Sequence, residues 1–210
     1  MSKINFYNVD CLEFMADVPD NFYELAIVDP PYGIGERLVK GGKGHGFDSL
    51  ILSNADRWDK IPEKTYFDEL FRVSKNQIIW GGNFFELPST KQPLCWDKVR
   101  PNQKNVSEWE MAWTSFEGRS RLYKYCANGG FVAKEKRIHP TQKPTDLYRW
   151  TLQNFATPGW KILDTHGGSM SSAIACDMEG FDLDICEIDK DYFNAGKQRF
   201  FEYKRQLKLF

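Results

Sequence analysis

The stretch that decides the fold of this chain reads Leu25-Ala26-Ile27-Val28-Asp29-Pro30-Pro31-Tyr32-Gly33. Its run of apolar residues, with turn formers on either side, predicts a strand that is buried on both faces. The two prolines end that strand, because neither has a backbone N–H to donate to a neighbouring strand. The stretch therefore predicts a stiff turn at the carboxyl end of a buried strand, which is where open α/β sheets bind their ligands.

The groups on this turn suit the binding of a flat ring that carries an amino group. The Asp29 carboxylate and the Pro30 carbonyl can together accept both N–H bonds of an exocyclic amine, which orients the nitrogen lone pair. Tyr32 offers a face for the ring, and stacking of a base on an aromatic side chain is worth roughly 1–3 kcal/mol. The alternative is an ordinary strand-ending turn with a surface tyrosine, and the combination of these residues after a buried strand favours the functional interpretation.

The residues Asp29-Pro30-Pro31-Tyr32 resemble the catalytic motif of the amino-methyltransferases, which transfer a methyl group from S-adenosylmethionine to adenine N6 or cytosine N4 in DNA. The resemblance implies that all four residues are catalytic. A motif that begins with aspartate is similar to the adenine enzymes, whereas cytosine enzymes more often begin with serine. An adenine-N6 enzyme acting on double-stranded DNA is therefore expected, with a cytosine-N4 enzyme as the alternative.

The composition is that of one globular domain spanning 1–210. The chain has 210 residues, of which 41% are hydrophobic and 27% are charged, so it can bury a substantial core. No run reaches the length of a membrane span, and the amino terminus does not read as a secretion signal. The five cysteines are never paired as Cys-x-x-Cys, which predicts reduced thiols in a cytoplasm and no metal site. The resemblance described above implies a bacterial protein, or a phage-encoded one that acts in a bacterial host.

The segment before the catalytic turn predicts a short helix with Asp10 at its N-cap. In the resembled family this position lies beside the adenine of the cofactor, which implies cofactor contacts for Asp10 and Cys11. A capping role alone for Asp10 is an equally good interpretation. After the turn, residues 33–60 are rich in glycine and predict a mobile loop that closes over DNA at the mouth of the site.

Two further elements follow this loop. Pro62 predicts the start of a helix that buries Tyr66, Phe67, Leu70 and Phe71 along one stripe. A strand over Gln77–Trp80 comes next.

Residues 91–137 are predicted to form a short DNA-recognition segment. The helical period disappears there, and short strands such as Glu108–Trp113 alternate polar with apolar residues. Because the net charge of the chain is only −1, affinity for DNA must come from a local basic patch. The predicted DNA-binding residues are Lys98, Arg100, Lys104, Arg119, Arg121 and Lys124. A solvated charged surface is the alternative, and the shortness of the segment implies a short target site or the help of a second subunit in a homodimer.

The hexapeptide His139-Pro140-Thr141-Gln142-Lys143-Pro144 predicts the start of a helix that runs to about Phe155. A lysine and a hydroxyl group at a helix N-terminus make a favourable site for a carboxylate. The hexapeptide also resembles the family's motif for the tail of the cofactor, which implies that Thr141 and Lys143 bind near the methionine moiety.

The last part of the chain reads as a strand, turn, helix and strand that would hold the cofactor. Strands are predicted over Lys161–Asp164 and Asp182–Ile188, with a helix from Met170 to Glu179 between them that Gly180 ends. Glu187 follows Gly167 by 20 positions, close to the offset at which Rossmann-like units place an acid on ribose hydroxyls. Asp164 could pair with the ammonium of S-adenosylmethionine, and the turn lacks the Gly-x-Gly-x-x-Gly spacing that an NAD enzyme favours.

The turn departs from the family pattern Asp-Pro-Phe-x-Gly-Ser-Gly-Thr at three positions, where this chain has Thr165, His166 and Met170. Methionine in place of glycine suggests weakened cofactor affinity, so a non-catalytic DNA-binding subunit is a further alternative. The expected contacts to the cofactor in this part of the chain come from Asp164, His166, Gly167, Gly168, Ser169, Ser171, Glu187 and Ile188.

The catalytic motif precedes the recognition segment, the tail motif and the glycine turn. That order resembles the beta arrangement of the amino-methyltransferases. It implies an α/β fold with a doubly wound, Rossmann-like, mostly parallel sheet in permuted order.

Overall fold

The computed structural model describes residues 2–33, 59–99, 107–126 and 137–207. The strands of this part of the chain are β1 Ile4–Tyr7, β2 Tyr23–Val28, β3 Ser74–Trp80, β4 Leu94–Asp97, β5 Trp109–Thr114, β6 Arg121–Lys124, β7 Lys161–Asp164 and β8 Asp182–Cys186. Its α-helices are α1 Cys11–Ala16, α2 Lys64–Val73, α3 Thr145–Phe155, α4 Ser171–Glu179 and α5 Lys190–Leu207, and a short 3₁₀ helix spans Gly82–Phe84. The loop predicted at 33–60 lies almost entirely outside the described residues.

The strands form one sheet in the order β1-β8-β7-β2-β3-β5-β4-β6. Neighbours from β1 through β3 are parallel, β5 runs antiparallel to both β3 and β4, and β6 is parallel to β4. The chain winds outward from the central pair in opposite directions, from β2 to β3 on one side and from β7 to β8 on the other. The sheet is therefore mostly parallel, doubly wound and permuted, as the sequence predicts, and the crevice between β2 and β7 is its topological switch point.

The core explains why β2 reads as an unbroken apolar run. Leu25 and Ile27 belong to the cluster that includes side chains of α3, α4 and α5, whereas Ala26 and Val28 belong to the cluster formed with α1 and α2. Helices thus cover both faces of the sheet. From Leu25 to Val28, consecutive side chains alternate between the two layers and all four are buried.

The predicted ends of the elements agree with the structure within a few residues. Asp10 caps α1 by accepting hydrogen bonds from the backbone N–H groups of Leu12 and Glu13, and Gly180 ends α4 with a left-handed φ of 80°. Helix α2 begins at Lys64 rather than at Pro62. The helical period of α4 predicts that Ala173, Ile174 and Met178 face inward, but Met178 is 46% exposed, so the prediction for its side chain was wrong.

Strand β1 has no counterpart among the predicted elements. Its four residues are only partly buried, because the strand forms one edge of the sheet and pairs on a single side with β8. None of the helices in the described part of the chain has the length and apolar character that crossing a bilayer requires.

Candidate active site

The carboxyl ends of β2, β7 and β8 open into one cavity of about 480 Å³. The catalytic turn after β2 and the glycine turn after β7 both line it, so the structure brings together the two motifs that the sequence analysis joined. All predicted catalytic residues and all but one of the predicted cofactor residues are in the lining: Asp10, Cys11, Asp29, Pro30, Pro31, Tyr32, Thr141, Lys143, His166, Gly167, Gly168, Ser169, Ser171, Glu187 and Ile188.

The carboxylate of Asp29 is held through one of its two oxygens. The Tyr32 hydroxyl donates a hydrogen bond to Asp29 Oδ1, and Lys143 Nζ lies 2.5 Å from the same oxygen. The second oxygen, Oδ2, has no hydrogen-bond donor among the residues that the structure describes. The carboxylate is thus fixed on one side and keeps an acceptor for another molecule on the other.

Lys143 connects Asp29 to a second carboxylate that the sequence analysis did not select. Its Nζ is 3.1 Å from Glu110 Oε2, and Glu110 Oε1 is in turn 2.6 Å from Lys98 Nζ. The 3.1 Å contact lacks hydrogen-bond geometry, so Oε2 accepts no hydrogen bond within the described part of the chain and its interaction with Lys143 is electrostatic. Two carboxylates and two ammonium groups therefore alternate beside the cavity.

These groups shift one another's protonation. Burial raises the pKa of Asp29, and the neighbouring Lys143 offsets only part of that rise. Burial alone would also raise the pKa of Glu110, but Lys143 and Lys98 lower it to about 2. Burial acts to lower the pKa of Lys143, and the two carboxylates outweigh it and raise that pKa. Lys143 is therefore a cation at neutral pH, and Glu110 is an anion.

This environment differs from the one expected for Lys143. The side chain lines the cavity, as predicted for a residue near the cofactor tail, but its ammonium contacts Asp29 and Glu110. It is only 4% exposed. The reason is that the start of α3 lies beside the catalytic turn, which brings Lys143 onto the catalytic carboxylate.

Tyr32 is packed against the segment that follows β3. Its ring stacks on Phe84 with the centroids 4.9 Å apart and the planes 14° apart, so one of its faces is already covered. Gly81 makes this possible, since it has a left-handed φ of 72° and a Cβ atom there would lie 2.1 Å from Tyr32 Cε1. The glycine after β3 therefore has a direct role in shaping the catalytic turn.

Glu187 lies at the end of β8 with both oxygens in defined positions. Its Oε2 accepts a hydrogen bond of 2.7 Å from the backbone N–H of Gly168, and its Oε1 accepts one of 2.8 Å from the N–H of Asp189. The carboxylate thereby joins the glycine turn to the end of β8. It is oriented in the cavity by backbone donors.

Asp164 is the predicted cofactor residue that does not line the cavity. Its carboxylate is 1% exposed and accepts hydrogen bonds from Ser172 Oγ at 2.5 Å and from the backbone N–H of His166 at 3.0 Å. Burial raises its pKa to about 7. The side chain faces the first turn of α4 and stabilises the glycine turn, so it does not line the cavity. The pairing of Asp164 with an ammonium stays a prediction.

Met170, which stands where the family pattern has glycine, has a left-handed backbone conformation with φ at 59°. Its side chain is fully buried and lies against two glycines. A Cβ atom on Gly196 would be 2.5 Å from Met170 Cγ, and one on Gly167 would be 2.9 Å from Met170 Sδ. The methionine side chain therefore packs beneath the turn against α5 and is absent from the cavity lining.

An arginine outside the predicted site residues also holds the glycine turn in place. Arg199 Nη1 donates a hydrogen bond of 2.6 Å to the carbonyl oxygen of Ser169, and its Nη2 donates one of 3.2 Å to Thr145 Oγ1. It thus connects the glycine turn to the start of α3. No local motif marks Arg199, because its function depends on the packing of α5 against these two segments.

Two histidines beside the cavity are neutral at physiological pH. Burial lowers the pKa of His139 to about 3 and that of His166 to about 4. The His139 ring packs on Tyr192, with the centroids 4.3 Å apart, and His166 Nδ1 is 2.9 Å from Thr165 Oγ1. The described residues contain no cluster of metal-ligating side chains.

The predicted DNA-binding residues divide into three groups. Arg119, Arg121 and Lys124 are exposed, and the last two lie on the edge strand β6, where Arg121 Nη2 donates a hydrogen bond to Asn154. Arg100 and Lys104 lie outside the described residues. Lys98 is buried and its ammonium is paired with Glu110, so the structure does not place it on the exposed basic surface.

Comparisons with known proteins agree with this geometry. No protein-family model matches the chain. The chain is 25% identical over 220 residues to the Escherichia coli (strain K12) protein named "Putative methylase YubD", covering 96% of this chain and 92% of that protein. It is 21% identical over 253 residues to the Type II methyltransferase M1.MboII of Moraxella bovis, with coverages of 93% and 96%.

Solved structures show the same fold. The crystal structure of the M1.HpyAVI–SAM complex matches with a TM-score of 0.62 at 20% identity, covering 93% of this chain and 98% of that chain. The PvuII DNA methyltransferase, described as cytosine-N4-specific, matches with a TM-score of 0.63 at 14% identity, with coverages of 95% and 87%. The predicted fold is therefore confirmed, and the methyltransferases among the matches agree with the resemblance to the DNA amino-methyltransferases.

Proposed function

We propose that this chain, which resembles the DNA amino-methyltransferases along nearly its whole length, transfers a methyl group from S-adenosylmethionine to an exocyclic amino group of a base in double-stranded DNA. The observation that carries the proposal is the single cavity lined both by Asp29 and Tyr32 and by Gly167 and Glu187. The acceptor for the amine and the turn for the methyl donor are thus side by side.

The residues of the cavity fit S-adenosylmethionine. The volume of about 480 Å³ lies within the usual range of small-molecule sites, about 300–1,000 Å³. The oriented carboxylate of Glu187 would accept hydrogen bonds from the ribose hydroxyls, and Asp10, Cys11 and Ile188 would surround the adenine. Thr141, Ser169 and Ser171 would lie at the methionine end. When bound, the cofactor supplies an electrophilic methyl group on its sulfonium.

Asp29 would act directly on the substrate. Its free Oδ2 would accept an N–H of the target amine while Oδ1 is held by Tyr32 and Lys143, and the carbonyl of Pro30 would accept the second N–H. Orientation of a nucleophile in this way contributes about 7–11 kcal/mol in favourable systems. Because burial raises the pKa of Asp29, the carboxylate is also a suitable acceptor for the proton that the amine loses after methylation.

Adenine N6 is the target that we propose, and the support for it is the aspartate at position 29, which is similar to the adenine enzymes. Cytosine N4 is the second candidate, and the similarity to the PvuII structure favours it. Mass analysis of nucleosides from DNA treated with the protein distinguishes the two, since N6-methyl-2′-deoxyadenosine and N4-methyl-2′-deoxycytidine differ in mass and retention.

We further propose that the exposed residues Arg119, Arg121 and Lys124, together with Arg100 and Lys104, contact DNA phosphates. The bacterial sources of the two relatives support action in a bacterial cytoplasm. A homodimer would provide the additional recognition surface that the short segment 91–137 lacks.

Expression in a host free of DNA methylation, followed by sequencing that detects modified bases, tests the proposed function. We expect methylation at one short site with the wild-type protein and none with Asp29→Ala, while calorimetry shows that the variant still binds S-adenosylmethionine. Methylation that persists in Asp29→Ala would refute the role of Asp29. A wild-type protein that binds DNA but gives no heat with the cofactor would support a non-catalytic subunit.

A further inference from the structure

We propose that Glu110 is a positioning residue for methyl transfer, whose carboxylate neutralises Lys143 and thereby leaves Asp29 able to accept the target amine. The inference rests on the proposed function. It concerns a residue at the start of β5, far in the sequence from both the catalytic turn and the start of α3.

The geometry that supports the proposal is an alternating row of charges. Lys143 Nζ is 2.5 Å from Asp29 Oδ1 and 3.1 Å from Glu110 Oε2, and Lys98 Nζ is 2.6 Å from Glu110 Oε1. The side chains are mostly removed from solvent, with 4% exposure for Lys143, 11% for Lys98 and 23% for Glu110. Interactions among charges in such surroundings are screened much less than at the surface.

The position of Glu110 gives it a second connection to the catalytic turn. Together with Tyr32 and Phe84 it lines a second hollow of about 320 Å³, and it is absent from the lining of the main cavity. Lys143 lines the main cavity and does not line this second hollow. Glu110 thus acts on Asp29 through Lys143 and does not itself face the glycine turn.

The charge of this row matters because the reaction creates a cation. The amine nitrogen forms a bond to the methyl carbon as the carbon–sulfur bond breaks, and the electron pair of that bond stays on sulfur. The nitrogen then carries a positive charge until its N–H proton passes to Asp29. The row is neutral with both carboxylates present, whereas without Glu110 it carries one net positive charge, which opposes the charge that develops on nitrogen.

Loss of Glu110 would also strengthen the ion pair between Lys143 and Asp29. With one carboxylate left as its partner, the ammonium would be attracted more strongly to Asp29 and would compete with the amine for that acceptor. Both effects slow methyl transfer while leaving the glycine turn and Glu187 in place. The expected result is a slower chemical step with little change in cofactor affinity.

The test compares single-turnover methylation by the wild-type protein with that by Glu110→Gln, Glu110→Asp, Lys98→Met and the double variant Lys98→Met/Glu110→Gln. We expect Glu110→Gln to slow transfer on the order of tenfold to a hundredfold. This magnitude corresponds to the loss of one nearby charge in a medium of effective dielectric constant about 20. Glu110→Asp, which keeps the charge, retains more activity. The double variant restores neutrality and is faster than Glu110→Gln, which a purely structural role would not produce.

Glu117→Gln is the matched control, since it removes a carboxylate that pairs with Lys91 at an exposed position. It is expected to leave the rate of transfer unchanged. Calorimetry with S-adenosylmethionine and thermal melting confirm that each variant is folded and binds the cofactor. A Glu110→Gln protein that binds the cofactor and transfers methyl groups at the wild-type rate overturns the inference and leaves the proposed function intact.

A second measurement separates failure of the inference from failure of the function. The ammonium ¹⁵N resonance of Lys143, assigned with Lys143→Met, should shift in Glu110→Gln and remain in place in Glu117→Gln. If the wild-type protein binds the cofactor but never methylates DNA, the proposed function fails, and this shift still supports the coupling of Glu110 to Lys143. An unchanged resonance overturns the coupling whatever the activity.

Discussion

Substitution of Met170 by glycine restores the residue that the family pattern has at this position, yet we expect it to destabilise the protein. Two effects oppose each other there. The left-handed backbone at φ 59° costs a non-glycine residue about 1–2 kcal/mol, and glycine removes that cost. The buried methionine side chain, however, packs against Gly167 and Gly196, and glycine removes that packing.

The packing is the larger of the two effects. Truncation of a fully buried methionine to alanine costs about 2–5 kcal/mol, and Met170 has no exposed surface. Subtraction of the relieved strain leaves a net loss of about 1–3 kcal/mol for Met170→Gly. Met170→Ala keeps the strained backbone and loses the same packing, so it should be less stable than Met170→Gly by about 1 kcal/mol or more.

Urea unfolding of the three proteins measures these differences, and calorimetry measures cofactor affinity on the same samples. Because Met170 is absent from the cavity lining, the dissociation constant for S-adenosylmethionine should change by less than about threefold, that is, by well under 1 kcal/mol. A Met170→Gly protein more stable than the wild type would show that backbone strain outweighs packing. A large gain in affinity would show instead that the methionine hinders the cofactor.

Two further predictions concern the glycine turn. Arg199→Met should weaken binding of S-adenosylmethionine on the order of tenfold, because Arg199 donates a hydrogen bond to the Ser169 carbonyl of this turn. A hydrogen bond to a charged group contributes about 1.5–3 kcal/mol net. An unchanged affinity in calorimetry would contradict this role. For Asp164, whose pKa is raised to about 7, the folded protein keeps a proton that the unfolded chain releases near pH 4. The contribution of this group to stability therefore falls as the pH rises from about 4 to about 7 and is level above that. Asp164→Asn should flatten this part of the curve of unfolding free energy against pH, and an identical slope in the two proteins would refute the assignment.

Much of the fold follows from signals that are local in the sequence. The apolar run before Asp29 and the prolines after it locate β2 and its end without any knowledge of the neighbours. The glycines around α4 and the Pro144 at the start of α3 fix element boundaries in the same way, because the backbone conformations that they favour are properties of single residues. The two motifs meet in one cavity because parallel strands share one carboxyl edge.

The parts that sequence reasoning missed depend on which side chains meet across the sheet. Glu110 reads as one polar residue of an alternating strand, and its proximity to Lys143 arises from the pairing of β5 with β3 and β4. Lys98 likewise resembles a surface cation in the sequence, because its contact with Glu110 exists only once β4 and β5 are paired. Asp164 occupies the motif position expected for a cofactor contact. The direction of its side chain is set by the hydrogen bond from Ser172, which forms only when α4 packs over β7.

The order of the strands also constrains how the protein is made. Strands β7 and β8 lie between β1 and β2 in the sheet, although the ribosome produces them long after both. Until they emerge, the facing edges of β1 and β2 carry unpaired backbone groups, and such edges recruit other chains. Translation products that stop before Lys161 are therefore expected to aggregate, and release of the completed carboxyl-terminal strands is the event that closes the sheet.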